Sequence, residues 1–219
     1  LFKPLQIATH FFMHGGLAHI FFNMFALVMF GSALETRWGP RRFLFFYFVC
    51  AIGAAVIHMG YTWYEMQQLD ELLVSFKNSP DVATFRQFID ASGFSEFPAV
   101  KDLSNRVSRG LTPELIGEAA RGMQELYEAK RDIPVVGASG AIYGLLLGFG
   151  MLFPNAELML IFLPIPIKAK YFIPLLMIGE LYLGVNQFSW DNIAHFAHLG
   201  GAVTGFFLIL YWRRFGSNL

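Results

Sequence analysis

Residues able to do chemistry stand where an apolar chain rarely carries them. Ser139 lies in Gly137-Ala138-Ser139-Gly140, at the head of the apolar stretch 135–153. His195 and His198 open a second apolar stretch, 194–212, and His19 and Asn23 sit inside a third, 17–34. A serine hydroxyl is a weak nucleophile unless a neighbouring base takes its proton, and neutral imidazole is suited to that at pH 7. Fixed N–H donors are then needed where negative charge develops on an attacked carbonyl. His19 and Asn23 stand at i and i+4, so they share one helix face. No carboxylate is expected to join these groups: Glu35, Glu180 and Asp191 are read as lying at span ends or elsewhere. That leaves a Ser–His dyad without the usual third acid.

The histidines admit a second chemistry. His10, His14 and His19 cluster near the first apolar stretch, and His195 and His198 are i, i+3, a set able to bind zinc or haem. Against it stand the lack of a His-Glu-x-x-His motif and of any thiolate nearby. Neither a metal nor another cofactor is expected.

The elements that must position these side chains are membrane helices. The chain has 219 residues, 55% hydrophobic and only 15% charged, well below the charge of a soluble domain. Five segments approach the ~20 residues needed to cross a bilayer: 17–34, 43–60, 135–153, 171–187 and 194–212. The stretch 157–167, with Pro164 and Pro166, is too short to cross and reads as a loop or re-entrant entry. The one cysteine, Cys50, precludes an internal disulfide, and zero net charge gives no reason to expect nucleic acid as a partner. The chain starts at Leu1 without a signal-peptide pattern, as expected of a fragment lacking its natural N-terminus.

Residues 61–134 differ, holding twelve of the sixteen acidic residues and eight of the sixteen basic ones. The segment reads as a helical insert. Ser79-Pro80-Asp81 and Thr112-Pro113-Glu114 each give an N-cap, a proline at the first helical position and an early acid. Leu115, Ile116, Ala119, Met123, Leu126 and Tyr127 form a stripe of helical period, fit for core packing or a membrane-surface face. The organisation is therefore 1–60, the insert 61–134, and 135–219. Outside the insert, all basic residues but Lys3 fall on one side of alternating spans, which makes that side cytoplasmic and the insert extracytoplasmic.

With the odd-numbered spans entering from outside, a rise of about 1.5 Å per residue puts His19, Asn23, Ser139 and His198 within about two turns of the outer surface. Gly140, Gly144 and Gly148 recur every four residues in the third span, as do Gly201 and Gly205 in the fifth. Such small-xxx-small faces let backbones approach closely in lipid. Their packing would bring Ser139 within reach of His198, with Tyr143 beside the same imidazole.

The segments "HGGLAHIFFN" (14–23), Glu35-Thr36-Arg37, "GASGAIYG" (137–144) and "AHLGGAVTG" (197–205) together resemble the hallmark segments of rhomboid intramembrane serine proteases. The resemblance implies an all-α polytopic membrane protein with a rhomboid-like helical bundle, five of the family's six core spans being present here. It implies Ser139 as nucleophile and His198 as general base and acid. His19 and Asn23 would donate to the oxyanion with the Ser139 backbone N–H, Tyr143 would pack on the histidine, and Gly137, Gly140 and Gly201 would support them. Glu35 and Arg37 match a structural motif in the loop after the first span and carry no chemistry. The expected activity is intramembrane endoproteolysis of transmembrane protein substrates near the extracytoplasmic surface, in a bacterial inner (plasma) membrane. The insert departs from the family pattern and would lie over or beside the site mouth, limiting access or recognising substrate ectodomains. Two other functions compete: an inactive relative that binds transmembrane clients, and a transporter or channel. The second expects polar residues through the full depth of the spans, whereas their inner halves are almost wholly apolar.

Overall fold

The structure is a computed structural model and describes residues 9–133, 137–160, 163–188, 191 and 193–216. Two compact units divide the chain: Leu1–Met59, Val135–Asn186 and Ile193–Leu219 form one, and Gly60–Pro134 with Gln187–Asn192 the other.

In the first unit, α1 (Leu17–Trp38) is one apolar helix with a π turn at Leu27–Gly31. Gly39, at φ +76°, ends it, a conformation that side chains disfavour. Pro40 then opens α2 (Pro40–Asn78), where its missing N–H costs nothing. Glu35 and Arg37 consequently sit on the last turn of α1, not in a loop. Helix α6 (Ser139–Leu152) starts at the serine itself, and α7 (Ala169–Asn186) and α8 (His195–Phe215) complete the unit. Helices thus stand at all five expected spans. Three of them, α1, α2 and α8, are long and apolar enough to cross a membrane. Helix α6 has only 14 residues, and Lys170 and Glu180 lower the apolar character of α7.

The stretch 157–167 is not a loop: β1 (Glu157–Leu160) and β2 (Leu163–Lys168) form an antiparallel ribbon, with Glu157 opposite Lys168 and Leu158 opposite Ile167. Prolines are tolerated in such a strand because an edge leaves N–H positions outside the ladder.

Large apolar side chains cover the outside of this unit. Phe21, Leu175 and Phe207 are 60%, 66% and 63% exposed, an apolar surface that suits lipid and would be a liability in water. Its interior is built by close approach of α2, α6 and α8. A Cβ added to Gly201 would lie 1.8 Å from the Gly140 carbonyl oxygen, and one on Gly144 would lie 2.5 Å from Cys50 Sγ and 3.0 Å from the Gly201 carbonyl oxygen. The backbones touch where the glycine stripes meet.

The second unit has its own core. The last turns of α2 pack with α3 (Val82–Ser92), α4 (Pro98–Ser108) and α5 (Pro113–Arg131) around the fully buried Phe76, Phe85, Phe88 and Met123. In α3 the buried residues Phe85, Phe88 and Ile89 follow the i, i+3, i+4 rule. The stripe on α5 is core packing: Leu115, Ala119 and Met123 are buried, and Ile116, Leu126 and Tyr127 pack against the same cluster. Thr112 caps α5, accepting from the Leu115 N–H at 3.2 Å, with Pro113 at the first position. At α3 the start lies later than expected. Asp81, not Ser79, is the cap, because its carboxylate accepts from the Thr84 N–H at 2.8 Å, and Pro80 precedes the helix.

Candidate active site

Ser139 is the first residue of α6, so its backbone N–H is one of the donors that a helix start leaves without an intrahelical partner. The side chain meets His198, on the first turn of α8, with Oγ 2.9 Å from Nε2. The close packing of Gly140 on Gly201 brings these two helix starts together. Tyr143, one turn along α6, stacks on the His198 ring, with centroids 4.1 Å apart and planes 8° from parallel.

The expectation that no carboxylate joins the pair is wrong. Glu180, buried on α7, places Oε2 2.9 Å from His198 Nδ1 and 2.7 Å from His195 Nδ1. The Tyr143 hydroxyl donates to the other carboxylate oxygen. Three donors thus surround one buried carboxylate, the condition under which a charge is tolerated away from water. Glu180 is not at a span end; it lies near the middle of the expected span 171–187, six residues before the end of α7. The signal that could have found it was present, since an ionisable residue inside a span is a functional hypothesis in itself. Glu180 lies on the fourth span, whereas the polar residues matched by depth lie on the first, third and fifth. His195, expected only as a metal candidate, is tied to Glu180 at 2.7 Å.

His19 and Asn23 share the inner face of α1, as their spacing requires. The Gly15 N–H donates to His19 Nδ1 at 3.3 Å, which makes Nδ1 the acceptor and leaves the proton of the neutral ring on Nε2. That Nε2 borders Gly137: a Cβ at this glycine would lie only 2.8 Å from it, and Gly137 also holds φ +116°. Gly137 is therefore required twice, for its backbone and for the space it leaves. Asn23 is buried, and its amide Nδ2 has no partner among the described residues. A cavity of about 20 Å³ opens beside Ser139, bordered by Gly137, Ala54, Phe11 and Ala194. That volume holds about one water molecule.

Among the described residues, the histidines weighed as metal ligands fall into two groups. His14 and His19 lie with ring centroids 5.3 Å apart, and His195 and His198 gather on Glu180; the His10 side chain lies outside the described residues. Among the described residues, Glu180, His195 and His198 offer ligand atoms within 4.8 Å of one another and could hold a metal. Their 2.7 and 2.9 Å spacings are hydrogen-bond lengths that satisfy the carboxylate without an ion.

The Rhomboid domain model matches residues 2–71 and 114–215, omitting 72–113 inside the insert. Rhomboid-like protein 15 of Arabidopsis thaliana is 40% identical over 58 residues, 26% of this chain and 14% of that protein. An uncharacterized rhomboid protein of Schizosaccharomyces pombe, named as mitochondrial, is 26% identical over 216 residues, 95% of this chain and 51% of that protein. The chain thus spans about half the length, or less, of these curated relatives. Neither supports the bacterial membrane expected above. No solved structure matches. With the family model covering most of its length and apolar helices long enough to cross a bilayer, the chain is a multi-pass membrane protein that belongs to the rhomboid family.

Proposed function

We propose that the chain is an intramembrane serine endopeptidase, and the observation that carries the reading is the 2.9 Å contact of Ser139 Oγ with a His198 held by two other groups, Glu180 and Tyr143. Ser139 Oγ attacks the carbonyl carbon of a substrate peptide bond while His198 Nε2 takes its proton. The carbonyl oxygen becomes an oxyanion facing His19 Nε2–H, the Asn23 amide and the Ser139 backbone N–H, reinforced by the positive end of the α6 dipole. His198 then returns the proton to the leaving amine, and an acyl-enzyme remains on Ser139. Water in the adjoining cavity gives a proton to His198 and attacks the ester carbon, releasing the new carboxyl end and restoring Ser139.

The substrates are transmembrane segments. Helix α6 has 14 residues, about 21 Å at the helical rise, against a hydrocarbon core of ~30 Å. When its apolar far end reaches one interface, Ser139 lies inside the membrane. A helical peptide bond is shielded by its own turn, so segments with Gly, Pro or small residues near the outer surface are favoured. Co-reconstitution with a transmembrane reporter tests the reading. The expected result is two fragments with wild type and none with Ser139→Ala; client binding without cleavage by wild type would support an inactive relative instead.

A further inference from the structure

We propose that Glu180 is a positioning residue that turns the Ser139–His198 pair into a Ser–His–Glu triad, and that Tyr143 and His195 hold it in register. The proposal rests on the peptidase reading above and departs from the dyad expected from the sequence. His198 is fixed by three different elements of contact: Ser139 at Nε2, the face of Tyr143 on its ring, and Glu180 at Nδ1. A carboxylate at Nδ1 selects the tautomer with the proton on that nitrogen, so Nε2 is left as the acceptor that Ser139 needs. When His198 takes the serine proton, the imidazolium forms 2.9 Å from that carboxylate and is stabilised by it.

The carboxylate is itself oriented from both sides. Tyr143 donates to Oε1 and His195 Nδ1 stands 2.7 Å from Oε2, so Glu180 cannot turn away without breaking a buried hydrogen bond. Tyr143 thereby acts on the imidazole twice, by its ring directly and by its hydroxyl through Glu180. His195 and His198 are one turn apart on α8, which lets one carboxylate oxygen serve both. No proton passes to Glu180; it holds the ring and its charge.

Steady-state cleavage by full chain in proteoliposomes tests this with Glu180→Gln, Glu180→Asp and Tyr143→Phe, and Ser139→Ala as the blank. Glu180→Gln keeps shape but offers an amide N–H to one of its donors, so kcat is expected to fall by roughly 10²–10⁴-fold with KM unchanged. Glu180→Asp is expected to recover at least tenfold of that loss. Tyr143→Phe keeps the stacked ring and is expected to lower kcat alone, yet to add nothing on top of Glu180→Gln, because both act through one carboxylate. A Glu180→Gln kcat within threefold of wild type overturns the proposal. So does a loss that falls on KM or on the melting temperature while kcat holds, or full additivity with Tyr143→Phe. If wild type cleaves no better than Ser139→Ala, the peptidase reading fails first and this inference with it.

Discussion

Asn23 carries a buried amide donor without a partner among the described residues. Leaving such a group unsatisfied costs about 1–3 kcal/mol. Under the proposed function, this donor bonds the transient oxyanion beside Ser139. Asn23→Ala should therefore lower kcat by about 10²–10³-fold in a reconstituted cleavage assay. A fall of less than threefold would remove Asn23 from the oxyanion donors. At this scale most of the site was legible in the sequence, since His19 and Asn23 lie one turn apart and Ser139 and His198 each adjoin a glycine stripe. Glu180 was not legible by that route. Its partners stand 37 residues before it and 15 and 18 residues after it, and only the packing of α7 against two other helices unites them.

Helix contacts explain why those residues meet. Gly201 faces the Gly140 carbonyl so closely that a Cβ would fall 1.8 Å from the oxygen, and a backbone atom cannot swing aside as a side-chain tip can. Gly201→Val should force α6 and α8 apart, lower the melting temperature and separate Ser139 from His198. Overpacking of this kind costs about 1–3 kcal/mol or more. Gly179 on α7 is the internal control, since nothing lies within 4 Å of a Cβ there. Gly179→Ala should leave stability unchanged or raise it by up to about 1 kcal/mol. Thermal unfolding in detergent compares the two; equal effects would mean that the stripes do not set the α6–α8 distance. The stripes were readable because their spacing matches the helix repeat. The β1–β2 ribbon was not, since its prolines mask a strand and apolar periodicity cannot report strand pairing.

The whole chain joins a membrane unit to a second unit with a core of its own, and the family model passes over 72–113 in the latter. Among the carboxyls there, Asp81 and Glu118 are held below their ordinary range. Asp81 is lowered by the hydroxyl and backbone N–H of Thr84, and Glu118 by its hydrogen bonds with Arg106. A folded pKa below the unfolded value means that the stabilisation is present above the ordinary carboxylate range, about 4. It is lost as pH falls through the lower folded values. Hydrogen exchange should accordingly show α3 and α5 loosening as the pH drops below about 4, with the pH dependence at the start of α3 reduced in Asp81→Asn. Charge alone sets the insert apart from its flanks in sequence, but the start of α3 at Asp81 depended on which oxygen reached the Thr84 N–H.

The central claim is that Ser139 is a nucleophile activated by His198, and covalent labelling reads it most directly. Full chain in proteoliposomes is treated with a fluorophosphonate, and the modified peptide is identified by mass spectrometry. A single adduct on Ser139 is expected in wild type, absent in Ser139→Ala and greatly slowed in His198→Ala. Labelling that persists in Ser139→Ala, or an adduct on another residue, would contradict it.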